Sequence, residues 1–186
     1  MNIIGKKIYL RAMEPGDMEM YREMANDPET EWMIGGWSFP ISKKEQLEWY
    51  EKVILDKNNF RFTIVMRESE QPVGMVNLVN IDWKNRSGYH GIKLSPQSPK
   101  GKGIGTDAVM TIMEYAFDEL QFNRLDTAWS EYNKASIGLY KKCGWSIEGC
   151  KKRGVFKRGK YYDRYFGGIL VEDYYKTVKR LNWYKE

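Results

Sequence analysis

Histidine occurs once and cysteine twice in this chain of 186 residues. A structural zinc site needs four such ligands, and His90, Cys143 and Cys150 cannot supply them. Two thiols make no disulfide framework either, so a reduced, cytoplasmic protein is expected. No run approaches the roughly 20 apolar residues that a membrane span requires. The opening Met1-Asn2-Ile3-Ile4-Gly5-Lys6-Lys7 lacks an apolar core and a cleavage site, so no secretion signal is expected. With six prolines and 17 glycines the composition is neither collagenous nor low in complexity. What the chain does have in excess is positive charge, a net +5, which favours an anionic partner. Nucleic acid, an acidic membrane surface and a phosphorylated cofactor all fit that sign.

The pattern along the chain predicts one α/β domain without repeats or linkers. Lys7 to Arg11 alternates as a short strand, and Asp17 is placed to cap a helix through Met18, Tyr21 and Met24. A Trp- and Gly-rich loop follows from Trp32 to Pro40. Ser42 and Glu45 form a capping box that opens a helix, with Leu47, Tyr50, Val53 and Ile54 expected on its buried side. Phe60 to Arg67 and Val73 to Ile81 read as antiparallel strands around Glu70-Gln71-Pro72. Arg86 to Leu94 is another strand, in which Gly88 and Gly91 suggest a bulge. A helix from Gly103 to about Leu120 turns Ala108, Val109, Ile112, Met113 and Ala116 to one face. A strand at Arg124 to Ser130, a helix at Lys134 to Cys143, a short strand at Ser146 to Glu148, a strand at Tyr165 to Val171 and a helix from Glu172 to Tyr184 complete the order.

Lys100-Gly101-Lys102-Gly103-Ile104-Gly105-Thr106 lies between a strand and a helix. Alternate glycines let the backbone approach a ligand closely, and the helix N-terminus and the two lysines favour an anion. The Walker A spacing is absent. Gly103 to Ala108 matches the dinucleotide pattern G-x-G-x-x-A, with Asp126 near the expected distance, but that architecture places the loop after its first strand. Here several strands and two helices precede it. A glycine-rich turn without a ligand is the remaining alternative.

Three further blocks carry a resemblance. Lys100 to Gly105 is similar to Gln/Arg-x-x-Gly-x-Gly/Ala, with lysine in the first position. Asn133-Lys134-Ala135-Ser136-Ile137-Gly138-Leu139-Tyr140, running on to Gly144-Trp145, resembles Asn-x-x-Ala/Ser-x-x-Leu-Tyr-x-x-x-Gly-Phe. Arg158-Gly159-Lys160-Tyr161-Tyr162-Asp163 resembles Asn-Gly-Lys-Tyr-x-Asp. Ile8 to Arg11 with Asp17, and Asn26-Asp27-Pro28, match as well. In this order and spacing they resemble the GCN5-related N-acetyltransferase (GNAT) superfamily, in its branch of ribosomal-protein N-terminal and spermidine N-acetyltransferases.

The resemblance implies one N-acetyltransferase domain over residues 1–186, with a twisted, mixed, mostly antiparallel sheet flanked by helices and splayed fourth and fifth strands. It implies acetyl-CoA as cofactor. The pantetheine arm would pair with the backbone of Ile92 and Leu94 as an added strand. The diphosphate would lie on the loop of Lys100, Gly101, Lys102, Gly103, Ile104, Gly105 and Thr106, and Asn133 and Ser136 would hold the arm. Tyr140, two turns beyond Asn133 and on its face, would protonate the leaving thiolate. A strand Glu that usually serves as base is replaced by Tyr89, which leaves His90, Glu131 or a water chain for that role. Direct attack by the amine is expected, with Cys143 a structural thiol.

On the acceptor side, Glu31, Trp37 and Tyr89 are candidates, the tryptophan either stacking on a substrate or pinning its loop to the core. The basic run from Lys151 to Lys160 fits an RNA surface, a nucleotide-linked sugar or a solvated hairpin, and it disfavours a polycationic acceptor. A primary amine of a small molecule, of the amino sugar, amino-sugar nucleotide or polyamine class, is the leading acceptor, and a protein N-terminus the second. An acyl-CoA-binding module without catalysis and a basic RNA-binding module are the readings from other classes. No membrane partner is expected, nucleic acid is disfavoured, and a homodimer is compatible with the resemblance.

Overall fold

A computed structural model describes residues 1–34 and 39–183 of the chain. Eight strands form one sheet: β1 (Ile3–Ile4), β2 (Ile8–Ala12), β3 (Phe60–Met66), β4 (Pro72–Asp82), β5 (Ser87–Leu94), β6 (Arg124–Ser130), β7 (Ser146–Lys157) and β8 (Lys160–Leu170). Their spatial order is β1-β2-β3-β4-β5-β6-β8-β7. Every neighbour is antiparallel except β5 and β6, which are parallel. A parallel pair needs a crossover, and helix α4 (Ile104–Glu114), continued by a wider turn at Tyr115–Glu119, provides it.

Two apolar layers follow from strand alternation. Ile64, Val76 and Leu78 face α4, whose Ala108, Val109, Ile112 and Met113 are fully buried, with Ala116 of the following turn. Helices α5 (Lys134–Lys142) and α6 (Val171–Leu181) complete that side through Tyr140 and Tyr174. Met75 on the opposite face packs against Met13, Met18, Tyr21 and Met24, covered by α1 (Met18–Asn26) and α3 (Lys43–Val53). Asp107 of α4 accepts the amides of Lys6, Lys7 and Ile8 and so ties the first hairpin to the helix that opens the glycine loop. Among the described residues no helix is long and apolar enough to cross a membrane.

Several expectations change. Asp17 does not cap α1: its buried carboxylate accepts two bonds from Arg11, at 2.7 and 2.8 Å, and one from Thr63 at 2.7 Å, joining α1 to the sheet. The Ser42–Glu45 capping box is present. However, Leu47 and Ile54 are exposed on α3, and Gln46 is buried with Trp49, Tyr50 and Val53 packed inward. A six-residue helix α2 (Pro28–Met33) starts where Asp27 accepts the Thr30 amide at 2.7 Å and Pro28 fills the first turn. The extra residue of the bulge lies in β4, between Val79 and Asp82, opposite Gly88 of β5, and Gly91 pairs regularly with Asn77. The short strand at Ser146 runs on to Lys157, and a two-residue turn with Arg158 at φ 47° and Gly159 at φ 77° joins it to β8.

Candidate active site

β5 and β6 pair only from Ser87 to Tyr89, against Arg124 to Asp126, and then diverge. Hydrogen-bonded pairs alternate along an antiparallel ladder. The Ser95 amide donates to Val73 O at 2.8 Å, which sets the odd-numbered residues of β5 to bond β4. The backbone N–H and C=O groups of Ile92 and Leu94 therefore face the gap, where β6 no longer reaches them. A groove of about 470 Å³ runs from Ile92 and Leu94 past Asn133, Ser136 and Leu139 to the glycine loop. It can take an extended, amide-bearing arm as a strand is taken.

The loop at the end of this groove owes its path to glycine. Gly101 has φ 72° and Gly103, which caps α4, has φ 80°, both in the left-handed region. Gly105 is held close, since a Cβ there would stand 3.2 Å from the Leu139 side chain. The first amides of α4 are left for an anion. Lys100, Gly101, Gly103, Ile104 and Gly105 line the groove; Lys102 and Thr106 do not, and the Lys102 carbonyl accepts from Lys7 Nζ at 2.8 Å. Free N–H groups, left-handed glycines and a strand-like wall fit a pantetheine diphosphate.

A second hollow, about 290 Å³, opens in the splay between β5 and β6. Tyr140 of α5 reaches it with only 1 % exposure, ringed by Trp129, Trp145 and His90 at centroid distances of 5.3, 5.0 and 5.4 Å. Burial pushes its hydroxyl well above the usual tyrosine range, against the hydrogen bond with Thr127. The phenol therefore keeps its proton at neutral pH. Ser130 Oγ, Trp129 Nε1, His90 Nε2 and Asn77 Oδ1 are buried here with no hydrogen-bond partner among the described residues. Of these, Ser130 and Asn77 have no motif to announce them, because only the splay brings them to the hollow.

The remaining candidates are placed differently from expectation. β5 alternates regularly from Tyr89 to Leu94, so Tyr89 lies on the sheet face of α1 and α3 and His90 on the core face, and both line the transfer hollow. His90 is fully buried, with Nδ1 at 3.0 Å from Asn77 O, and burial lowers it to about 4. It is a neutral ring packed on Tyr140 and Trp145, and it lines the hollow with its Nε2 unpartnered among the described residues. Glu131 does not line the hollow, and its Oε1 accepts the Asp163 amide at 3.0 Å. Asn133 lines both cavities, but its Oδ1 accepts the Ser136 amide at 3.0 Å and its Nδ2 donates to Met33 O at 2.9 Å. It thus caps α5 and fastens α2.

Glu31 is ion-paired with the buried Lys157 and is not open to a cationic acceptor. Trp32 stacks on Tyr132 at 4.2 Å with Arg158 over its ring at 4.4 Å, pinning α2 to the β7–β8 hairpin. Trp37 lies outside the described residues. Within the basic run, Lys152 pairs with Asp163 and Lys157 with Glu31, so part of its charge is spent inside the molecule.

A mixed sheet with a parallel splayed pair, a glycine-capped crossover helix and a buried tyrosine in the splay defines an acyl-CoA-dependent transferase. The model of the acetyltransferase (GNAT) domain matches residues 7–146. The SPbeta prophage-derived uncharacterized N-acetyltransferase YokL of Bacillus subtilis is 30 % identical, over 91 % of this chain and 93 % of its own. The putative ribosomal N-acetyltransferase YdaF of the same organism is 25 % identical, over 92 % and 95 %. The crystal structure of spermidine N-acetyltransferase from Vibrio cholerae, in complex with CoA and spermine, superposes with a TM-score of 0.84 at 26 % identity, covering 91 % of this chain and 98 % of that one. The chain belongs to the GNAT acetyltransferase family; it is an N-acetyltransferase, and acetyl-CoA is its cofactor.

Proposed function

We propose that the chain acts as a single domain that acetylates a primary amine of a small molecule by direct attack in a ternary complex. The observation that carries this is Tyr140, buried at the floor of the β5–β6 splay, where the groove meets the transfer hollow. Acetyl-CoA supplies an activated thioester. Ile92 and Leu94 would hold its arm, the N–H groups around Gly101, Gly103 and Gly105 its diphosphate, and the Ile92 N–H an acyl oxygen. With acetyl-CoA bound, the acceptor nitrogen would displace the thiolate from the acyl carbon, and the Tyr140 hydroxyl would give its proton to the departing sulfur. The proton that the nitrogen sheds would pass through water and restore the tyrosine.

Among the described residues no carboxylate lines the transfer hollow, so the amine enters uncharged or yields its proton to water. An acyl-enzyme is disfavoured, because burial pushes the Cys143 thiol up to about 12. The small-molecule acceptor is supported by a third hollow, of about 340 Å³, between Tyr21, Met24, Gln46 and Trp49, a size that suits one ligand.

Two measurements test this. Acetyl-CoA at about 100 times its dissociation constant should add about 2.7 kcal/mol of stability, a shift of several degrees in melting temperature. Free-thiol release is then followed with a panel of small amines and of peptides with free N-termini. Turnover of small amines above peptides is expected. Faster turnover of peptides would move the reading to a protein N-terminus, and stabilisation without turnover of any amine would leave a binding module.

A further inference from the structure

Lys93 stands where the three hollows meet, since it lines the cofactor groove, the transfer hollow and the acceptor hollow alike. Strand register explains why. Thr63, Met75 and Lys93 stand opposite one another across β3, β4 and β5, on the face covered by α1 and α3. Thr63 is closed off by bonds to Tyr21 and Asp17, whereas Met75, half-buried against the methionine cluster, already lines the transfer and acceptor hollows. Lys93 continues that row and lines the cofactor groove as well.

Among the described residues Lys93 makes no hydrogen bond and no ion pair, and burial alone holds its ammonium below the ordinary lysine range. Lys93 is half-buried, and a cation drawn partly out of water without a counter-charge carries a cost that an incoming anion would relieve. The other charged side chain of the transfer hollow, Arg164 on β8 opposite Ser130, makes no ion pair either among the described residues. No Asp or Glu lines that hollow. The single acid of the acceptor hollow, Glu45, is held by Ser42, whose N–H and hydroxyl it accepts at 2.8 and 2.6 Å. The transfer hollow is thus lined by two cations without an ion pair among the described residues, and by no carboxylate. Arg164 lies also over the Phe166 ring at 5.9 Å, and Asp27 and Glu29 belong to the cofactor groove on the other side of Lys93.

We infer that the acceptor amine belongs to a molecule that also carries an anionic group, a carboxylate or a phosphate, and that Lys93 binds this group with Arg164 on the β8 side. The inference rests on the acetyl-transfer reading above and narrows its acceptor. It also separates this chain from a polyamine acceptor, whose second ammonium would stand against Lys93.

The test uses pairs of amines that differ in the anionic group alone: an amino acid and its amide, an amino sugar and its phosphate, with spermidine as the cationic control. For each, kcat/KM is measured by thiol release, and binding to the CoA-loaded protein by calorimetry. The wild type should favour the anionic member by about tenfold or more, the size of one charge-assisted hydrogen bond. The pair with the larger ratio identifies carboxylate or phosphate as the group read. Lys93→Met should bring the ratio close to one, Lys93→Arg should keep most of it, and acetyl-CoA should stabilise both. Arg164→Gln, which should lower the ratio in part, serves if Lys93→Met does not fold.

Equal treatment of the pair members, a preference for spermidine, a ratio that survives Lys93→Met, or loss of acetyl-CoA binding in that variant would each overturn the inference. Calorimetry reads the preference without turnover. Absence of turnover thus counts against the catalytic reading, and absence of preference against this one.

Discussion

At the scale of single residues, the two most buried polar rings of the site lend themselves to opposite experiments. Tyr140→Phe removes one oxygen and leaves the Trp129, Trp145 and His90 contacts in place. If the hydroxyl delivers the proton to sulfur, kcat should fall by about a hundredfold or more, while KM for acetyl-CoA and the melting temperature change little. Steady-state kinetics beside a thermal melt check both parts, and an unchanged kcat would remove Tyr140 from the chemistry. His90, in contrast, should matter to stability. Burial lowers its folded value to about 4, whereas the unfolded imidazole titrates near 6.5. Between those values the unfolded chain takes up a proton that the folded chain refuses, so stability is lost as pH falls through the window. The loss should be roughly 3 kcal/mol from pH 6.5 to pH 4. The carboxylates with lowered values, Asp17 and Asp163 among them, begin to add their own loss below about pH 5 in wild type and His90→Gln alike, so the His90 contribution is the difference between the two. As this is the only histidine in the chain, urea unfolding of His90→Gln at the two pH values should show a much flatter dependence than the wild type.

At the scale of elements, the glycines divide into those that hold a backbone conformation and those that do not. Gly103 caps α4 at φ 80°, and a Cβ there would meet nothing closer than Lys7 Nζ at 3.8 Å. The cost of Gly103→Ala is therefore conformational, about 1–2 kcal/mol, and acetyl-CoA should bind more weakly because the first amides of α4 shift. Gly138 lies exposed inside α5 with open space about it, so Gly138→Ala should stabilise by about 0.5–1 kcal/mol. Thermal melts and acetyl-CoA titration of the two variants should move in opposite directions.

The same elements show which parts of the fold are readable from sequence. α5 is, because its cap at Asn133 and its apolar spacing are local signals, and so is the loop before α4, where Gly101 and Gly103 must be glycine. α2 is not, because six residues with no buried side chain carry no period, although Asp27-Pro28 marks its start. Most of β7 is missed because it is exposed and charged from Lys151 to Arg153, so the alternation that marks a strand is absent. The site splits along the same line. The groove and Tyr140 belong to sequence blocks, whereas Lys93, Ser130 and Arg164 become neighbours only because β5 and β6 diverge. A lysine within a strand otherwise reads as a solvent-facing residue.

At the scale of the whole molecule, the cofactor groove is assembled from three distant stretches: Asp27 to Ile34, Ile92 to Gly105, and Asn133 to Leu139. The middle stretch includes the unpaired edge of β5. The flanking ones are fastened to each other by Asn133 Nδ2 on Met33 O and by Tyr132 Oη on Trp32 O at 2.8 Å. A ligand that lies along this groove adds hydrogen bonds where the sheet lacks them and loads the fastening between α2 and α5. Amide hydrogen exchange should therefore slow on addition of acetyl-CoA at Ile92, at Leu94 and in the first turn of α4. The turn at residues 67–71, which lines none of the three hollows, should exchange as before. Mass-resolved exchange with and without the ligand checks this. Protection spread over residues 151–160 would place the anion on the basic hairpin instead, which is the outcome expected of a nucleic-acid-type surface. Protection confined to the glycine loop, with none on β5, would mean that the diphosphate binds while the arm does not enter the splay, and Tyr140 would then have no thiolate to serve.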